Sequence, residues 1–337
     1  MNTAQKIQLF LVVTILGFLT GPRVIIALAK LTPDDTLSSP NAAQVATAGT
    51  QVNTTPEIVE PPVRAASPFA ALTLRGKSIY VWDITDHKKL FSRNEFAELP
   101  LASVTKIMMA VVAKELLPAN TKITIRSIDI LEEGDSGLLA GETWDFDKLL
   151  NFTLIASSND GASAIAGVAG AILPNASSSD PFLNKKLFIE KMNDKARDIG
   201  LVNTFFRNES GLDIESLTAG AYGSSRDMAM LFEYVLRKHP ELFSPTTYAK
   251  IDLKSENNIV HHVTNTNQGV ASTNGIIGSK TGFTDLAGGN LVVVVDIGIQ
   301  HPVVIVVLGS TYEGRFSDVE QLIDATVEKI TGKTLNL

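Results

Sequence analysis

The chain of 337 residues carries a formal charge of −7 and no cysteine, and its length allows one large domain or two small ones. The missing cysteine excludes thiolate catalysis, disulfides and cysteine-based metal sites. The excess of acidic over basic residues, 36 against 29, argues against a protein that binds nucleic acid through a basic surface.

The N-terminal region has the pattern of an export or anchoring segment. Residues 7–20 are apolar and come after Lys6, as in the hydrophobic core of a signal peptide. Together with the next apolar stretch, the segment is long enough to cross a bilayer. Arg23 stands in front of the cleavage-like Ala-Leu-Ala at 27–29 and makes this a poor cleavage site. We therefore expect a membrane anchor in residues 1–30, with a cleaved signal peptide as the alternative.

A linker is predicted between this segment and the folded part. Residues 31–66 hold no aromatic side chain and are rich in Ala, Thr, Ser, Asn and Pro. Such a stretch cannot bury enough apolar surface to offset its chain entropy, so it predicts a disordered tether. The folded domain is expected to span residues 67–337.

The folded part begins and ends with strand patterns and is helical between them. The predicted strands are 77–85, 88–93, 275–282, 289–297 and 302–308. The predicted helices are one from residue 103, then 144–156, 160–172, 188–198, 225–238 and 316–330. This order predicts an α/β plus α fold in which one antiparallel sheet uses both chain ends, about 67–102 and 275–337. A helical lobe, about 103–274, would be inserted, leaving a cleft between the lobes.

The first chemical motif is a Ser-x-x-Lys at the start of an apolar helix. Ser103 and Lys106 lie three residues apart, which places both on one face of a helix. A serine hydroxyl needs a base to act as a nucleophile, and a lysine can serve if burial or a nearby cation lowers its pKa. The bland alternative is a helix-capping serine with a surface lysine.

The second motif is a Ser-x-Asn between two predicted helices. Ser157 and Asn159 come after the apolar helix 144–156 and precede the helix 160–172. Capping of a polar turn would explain them, but a loop that faces a cleft is also where proton-relay groups belong.

The third motif is Lys-Thr-Gly at 280–282, ahead of a strong strand. Gly282 would let a substrate backbone approach closely. A phosphate-binding loop is excluded, because that motif needs a glycine directly before the lysine and Ser279 stands there. The alternative is a strand-to-turn transition with a solvated lysine.

No cofactor or metal pattern accompanies these motifs. His261 and His262 are adjacent and lack the i,i+4 spacing of a helical metal pair, so a strand or loop pair is expected. No glycine pattern for a nucleotide cofactor is present. We expect neither a metal nor a cofactor.

The three motifs in this order are those of penicillin-binding proteins and serine β-lactamases. Over roughly residues 75–337 the sequence resembles the low-molecular-mass D-alanyl-D-alanine carboxypeptidases, which are S11-type serine peptidases. Further matching segments are 101–108, 211–213, 225–229 and 280–288. Ser158 departs from the family, where glycine is common, and residues 173–186 have the appearance of an insertion.

The resemblance implies roles for the motif residues. Ser103 would attack the penultimate D-alanine carbonyl of a peptidoglycan stem peptide, and a neutral Lys106 would take its proton. Ser157 would relay a proton to the leaving D-alanine, while Asn159 orients the substrate and the lysine. β-Lactams would acylate Ser103 as substrate mimics.

The same resemblance implies a substrate-binding set. Lys280 would supply positive potential, and Thr281 and Arg315 would lie near the terminal carboxylate. The N–H groups of Ser103 and Phe283 would form the oxyanion hole. Such a protein acts outside the cytoplasm, in a bacterial cell envelope.

Three alternatives remain open. Carboxypeptidase and endopeptidase both cleave after a D-alanine and differ only in the group that the cleaved bond joins to it. A β-lactamase shares the motifs but adds a deacylating glutamate; Asp180 at the start of 180–184 resembles that loop only superficially. A non-catalytic peptidoglycan-binding module is the third alternative, and the complete set of motif residues argues against it.

Overall fold

The structure, a computed structural model, describes residues 67–176, 180–298 and 300–332. The predicted anchor at 1–30 and linker at 31–66 lie outside the described residues. Within the described ranges, no helix is both long enough and apolar enough to cross a bilayer. Because the residues before 67 lie outside the described ranges, the predicted start of the folded domain near Ser67 stays a prediction.

The described residues form short and long strands in alternation with helices. The strands are β1 (Ser78–Asp83), β2 (Lys88–Arg93), β3 (Leu99–Pro100), β4 (Lys122–Thr124), β5 (Thr143–Asp145), β6 (Phe205–Phe206), β7 (Ala221–Gly223), β8 (Lys250–Lys254), β9 (Val260–Thr264), β10 (Ile276–Thr284), β11 (Gly288–Asp296) and β12 (Pro302–Ser310). The α-helices are α1 (Lys106–Leu116), α2 (Phe146–Ala156), α3 (Asn159–Ala171), α4 (Pro181–Asp198), α5 (Ser225–Lys238) and α6 (Gly314–Thr331).

The central sheet takes its strands from both ends of the chain. Its five strands lie in the order β10-β11-β12-β1-β2 and every neighbouring pair is antiparallel. β1 pairs with β12 along its whole length, from Ser78 opposite Leu308 to Asp83 opposite Val303. The predicted sheet from both chain ends, with helices between, is confirmed.

Both faces of the sheet are covered, because successive side chains of a strand point to opposite faces. On β11, Val292 and Val294 belong to the core shared with α1 and α5, whereas Leu291 and Val293 belong to the core shared with α6. A strand buried on both faces reads as a continuous apolar run, as β11 and β12 do. The buried sheet thus fixes the position of its edge strand β10.

Several predicted boundaries shift in the structure. The helix predicted from residue 103 begins at Lys106, because Ala102–Thr105 forms a 3₁₀ turn. The helix predicted at 144–156 starts at Phe146, and Trp144 before it belongs to β5. The helix predicted from 188 starts at Pro181, where the fixed backbone angle of proline suits the first helical turn.

Candidate active site

The turn that carries Ser103 is held in an unusual backbone conformation. It comes directly after β3, and the Leu101 N–H donates to the Ala221 carbonyl at 3.0 Å. Ala102 has a φ of 47°, in the left-handed region that non-glycine residues rarely adopt. Such strain persists only where the surrounding structure fixes it, and it is common at active sites. Ser103 is partly exposed at the start of this turn, and Lys106 at its end is fully buried.

The Lys106 amine contacts three oxygen atoms. Its Nζ lies 2.9 Å from Ser103 Oγ, 2.6 Å from Asn159 Oδ1 and 2.9 Å from the Ser210 carbonyl. A neutral amine has two hydrogens and one lone pair. The amide and carbonyl oxygens can only accept, so they take the two hydrogens. The lone pair is then left for the hydroxyl proton of Ser103, which is the arrangement a general base needs.

Burial makes this neutral state accessible. Removal of Lys106 from solvent lowers its pKa to about 7, although the charges of Glu209, Glu132 and Asp160 act in the opposite direction. Desolvation disfavours the charged form of a lysine, whereas nearby carboxylates favour it. A base with a pKa near neutral pH suits proton transfer under ordinary conditions.

Ser157 and Asn159 lie at the junction of α2 and α3. Ser157 ends α2 in the left-handed conformation, with a φ of 59°, which turns the chain toward the site. Asn159 begins α3, and its Nδ2 donates to the Glu133 carbonyl at 2.6 Å. Between them, the buried Ser158 accepts from the Gly161 N–H at 2.9 Å and so caps α3. The unusual serine at 158 therefore has a structural role.

Lys280, on β10, contacts the Ser157 hydroxyl. Its Nζ donates to Ser157 Oγ at 2.8 Å and to the Thr281 carbonyl at 3.0 Å. Burial lowers the pKa of Lys280 well below its ordinary value, and the Arg315 cation, with Lys106 whenever it is protonated, acts in the same direction. The structure therefore assembles the predicted residues into two linked pairs, Ser103 with Lys106 and Ser157 with Lys280.

Gly282 lies in close contact with the turn that carries Ser103. A Cβ at this position would lie 2.7 Å from the Leu101 carbonyl oxygen and 3.2 Å from the Ser103 nitrogen. Gly211, with a φ of 82°, approaches the same turn, and a Cβ there would lie 1.9 Å from the Ala102 carbonyl oxygen. Two glycine backbones therefore press on the turn that carries Ser103. The expectation that Gly282 also lets a substrate backbone approach stays a prediction.

The remaining predicted substrate-binding residues flank the end of β10. Thr281 is buried, and its Oγ1 lies 2.6 Å from Thr266 Oγ1. Arg315 is only 2% exposed, and its Nη1 donates to the Gly282 carbonyl at 2.9 Å. Phe283 is half-exposed and forms an edge-to-face pair with Tyr312, with ring centroids 5.1 Å apart. Thr281, Phe283 and Arg315 thus lie together at the end of β10.

Sequence reasoning missed residues that hold the site through backbone atoms or from a distance. Ser210 contributes a carbonyl oxygen to Lys106, and no residue type signals such an acceptor. Asn290 donates to the Pro100 and Leu101 carbonyls, at 2.9 and 3.0 Å, and accepts from the Gly309 N–H at 2.8 Å. This buried amide thus connects the turn that carries Ser103 to the sheet. The isolated asparagine in the apolar strand 288–296 was the signal that could have pointed to it.

The two adjacent histidines have structural partners. Both lie in β9, as a strand pair was predicted, and the Nε2 of His261 lies 2.7 Å from Glu142 Oε1. In the part of the chain that the structure describes, no group of three or more His, Asp or Glu side chains is arranged for a metal ion. The expectation of no metal and no cofactor stays a prediction.

Known proteins of similar sequence and structure were found for this chain. It is 28% identical over 262 residues to the D-alanyl-D-alanine carboxypeptidase DacF of Bacillus subtilis, covering 75% of this chain and 62% of that protein. It is 28% identical over 278 residues to a D-alanyl-D-alanine endopeptidase of Pseudomonas aeruginosa, covering 79% of each. The solved D-alanyl-D-alanine carboxypeptidase of Mycobacterium tuberculosis superposes with a TM-score of 0.65 at 23% identity, covering 76% of this chain and 92% of that one.

The fold is thus that of the DD-peptidases. The S11 peptidase family, described as D-alanyl-D-alanine carboxypeptidase, matches residues 63–311, and the chain belongs to this family. The chain spans about six-tenths of the length of the first two curated relatives, at 62% and 59%.

Proposed function

We propose that this protein is a serine-type D-alanyl-D-alanine carboxypeptidase that trims peptidoglycan stem peptides through an acyl-enzyme on Ser103. The observation that carries the proposal is the 2.9 Å contact between Ser103 Oγ and a buried Lys106 Nζ whose pKa is lowered to about 7. A serine beside an uncharged amine is an activated nucleophile. Membership of the S11 family supplies the substrate class.

In the proposed acylation, Ser103 Oγ attacks the penultimate D-alanine carbonyl as its proton moves to Lys106 Nζ. The backbone N–H groups of Ser103 and Phe283 stabilise the oxyanion, a contribution of about 3 kcal/mol for a single donor. The proton that Lys106 has taken is then relayed through the Ser157 hydroxyl to the leaving amine as the C–N bond breaks. D-Alanine departs and Lys106 is uncharged again, while Asn159 holds the lysine and the substrate. Water releases the shortened peptide and restores the Ser103 hydroxyl.

The substrate carboxylate would be held at the end of β10. Thr281 has its hydroxyl already oriented by Thr266, at 2.6 Å. Arg315 supplies positive potential at a place where burial strengthens it, and Lys280 adds to it in its protonated form, which burial disfavours. These groups would bind a free carboxylate on the residue that leaves, as the terminal D-alanine of a stem peptide carries.

Endopeptidase action is the second candidate, and the Pseudomonas relative named as an endopeptidase supports it. A β-lactamase is less well supported. Asp180, the residue that superficially matched its deacylating glutamate, caps α4 by accepting from the Leu183 N–H at 3.0 Å. Both glutamates whose charge reaches Lys106, Glu132 and Glu209, are bound to Lys185. A non-catalytic peptidoglycan-binding module would not require a neutral lysine beside the serine.

The proposal includes the place of action. Peptidoglycan lies outside the cytoplasmic membrane, so we propose an extracytoplasmic enzyme in the cell envelope. The N-terminal segment at 1–30 would export the domain and hold it at the membrane, with residues 31–66 as the tether. β-Lactams would act as inhibitors by acylating Ser103.

The experiment is release of free D-alanine from a stem pentapeptide, measured in parallel with labelling by a fluorescent penicillin. We expect both from the wild-type chain, neither from Ser103→Ala, and both from Ser272→Ala, which changes an exposed serine outside the site. A crosslinked dimer as a second substrate separates carboxypeptidase from endopeptidase action. Equal D-alanine release by wild type and Ser103→Ala would exclude Ser103 as the nucleophile.

A further inference from the structure

Lys185 on α4 forms a charged cluster beside the site that the proposed mechanism does not use. Its Nζ lies 2.9 Å from Glu209 Oε1, 3.0 Å from Glu132 Oε1 and 3.2 Å from Ser163 Oγ. The Glu209 side chain is only 4% exposed and that of Lys185 20%. Exposed ion pairs contribute little to stability, but loss of one partner of a buried pair leaves a charge without compensation.

Each glutamate is next in sequence to a residue whose backbone holds the catalytic groups. Glu209 precedes Ser210, whose carbonyl accepts from Lys106 Nζ at 2.9 Å. Glu132 precedes Glu133, whose carbonyl accepts from Asn159 Nδ2 at 2.6 Å. The Lys185 ammonium group therefore joins two loops. One contains Ser210, which contacts Lys106, and the other contains Glu133, which contacts Asn159.

The same cluster controls the charge around the base. Among the groups that act on Lys106, the carboxylates of Glu209, Glu132 and Asp160 favour its charged form. On β10, Lys280 is close enough to Lys106 for a positive charge on Lys106 to lower the pKa of Lys280. Lys185 neutralises the first two carboxylates.

Other charged groups surround Lys185 without replacing it. Glu190, Arg207 and the exposed Lys186 line the same groove. On the far side of Ser163, Asp129 is paired with Arg126 at 2.6 Å. Lys185 is the cation that contacts both glutamates whose charge reaches the base.

We propose that Lys185 is a positioning residue for the reaction, which acts through Lys106: it neutralises Glu132 and Glu209 and so keeps Lys106 uncharged. This inference rests on the proposed function. Without Lys185, two carboxylates would stabilise the ammonium form of Lys106. The pKa of Lys106 would then rise by about one unit, the lower end of what a close opposite charge produces.

The test is the pH dependence of the rate at which a fluorescent penicillin acylates the full chain, from about pH 6 to about pH 9.5. For Lys185→Met we expect the midpoint of the rising limb to move up by about one pH unit. The rate would be about fivefold lower at pH 7 and close to wild type at high pH, because the neutral fraction falls from about one half to about one eleventh. Lys185→Arg keeps the charge and should keep the wild-type midpoint.

The matched control is Lys186→Met, which removes the same charge from the next, exposed position of α4. Its profile should overlay that of the wild type. The double variant Lys185→Met/Glu209→Gln removes the uncompensated carboxylate as well and should return the midpoint toward its wild-type value. Thermal unfolding of every variant separates a shift in pH profile from loss of fold.

A Lys185→Met profile identical to that of Lys186→Met would overturn the inference, as would a uniform loss of rate at every pH. If Lys185→Met does not fold, Glu209→Gln alone decides: removal of a carboxylate should move the midpoint to lower pH, and an unmoved midpoint refutes the charge argument. A wild-type chain that no penicillin acylates at any pH would instead refute the proposed function, and this inference with it.

Discussion

Gly282→Ala is the substitution through which the packing of β10 against the nucleophile turn can be tested most directly. The added methyl group would lie 2.7 Å from the Leu101 carbonyl oxygen, 3.1 Å from Ala102 Cβ and 3.2 Å from the Ser103 nitrogen. A carbon and a carbonyl oxygen normally approach no closer than about 3.3 Å, so the turn must retreat by roughly 0.6 Å. All three contacts are on one turn, and Asn290 ties that turn to the sheet.

The expected loss is large in rate and moderate in stability. A displacement of about 1 Å of a reacting group can cost on the order of a hundredfold in rate, so we expect acylation by a fluorescent penicillin to slow by roughly ten- to a hundredfold. Overpacking of a tight contact typically costs about 1–3 kcal/mol in the free energy of unfolding. Stopped-flow labelling and denaturant unfolding measure the two effects separately.

Gly298→Ala provides the matched control, because a Cβ there meets no atom within 4 Å and the residue has no positive φ. It should acylate at the wild-type rate. Wild-type acylation by Gly282→Ala would refute the reasoning, since the turn would then accommodate the methyl group without moving Ser103. A variant that loses stability but keeps its rate would show that the contact serves folding alone.

The same geometry leads to four further predictions. The acylation rate of the wild type should rise with pH through a midpoint near 7. The free energy of unfolding of the wild type, relative to that of Lys106→Met, should increase between about pH 7 and 10.5, by at most about 1.4 kcal/mol per pH unit. In this range the unfolded chain still binds a proton on Lys106 that the folded chain has lost. A difference in unfolding free energy that does not change with pH, measured by denaturant unfolding, would contradict this prediction. Asn290→Ala leaves the Pro100 carbonyl and the Gly309 N–H unpaired, whereas the Leu101 carbonyl keeps the Val104 N–H. The loss should be about 2 kcal/mol or more in unfolding free energy, together with slower acylation, whereas a loss below about 1 kcal/mol would show that water replaces the amide. Ser158→Ala should destabilise α3 by about 1 kcal/mol in thermal unfolding and Ser158→Gly by only a few tenths, since glycine is itself an acceptable cap; the reverse order would argue against the capping role.

The sequence was sufficient for the long elements and for the contacts among the motif side chains, whose catalytic roles stay a proposal. The apolar runs of β11 and β12 and the helix α5 carry unambiguous patterns, and the three motifs predicted which side chains meet. The short strands β3, β6 and β7 were not predicted, because two or three residues show no periodicity. Their pairing nevertheless sets the turn that carries Ser103.

Other features depend on contacts that no local pattern encodes. The Ser210 carbonyl acts through its backbone, so the identity of the residue is uninformative. The close contact of Gly282 with the Leu101 carbonyl could not be predicted, because Leu101 lies far away in the sequence. Lys185 belongs to the segment 173–186 that has the appearance of an insertion, and only the fold brings it to Glu132 and Glu209.

The origin of the central sheet from both chain ends has a consequence for biosynthesis. Ser103 and Lys106 emerge early during translation, but β10, which packs against their turn, and β12, which pairs with β1, emerge about two hundred residues later. Closing so long a loop is slow relative to local helix formation. A nascent chain that has not yet reached Ser310 would therefore hold its nucleophile in an unsupported turn, and acylating activity would arise only on completion of the sheet.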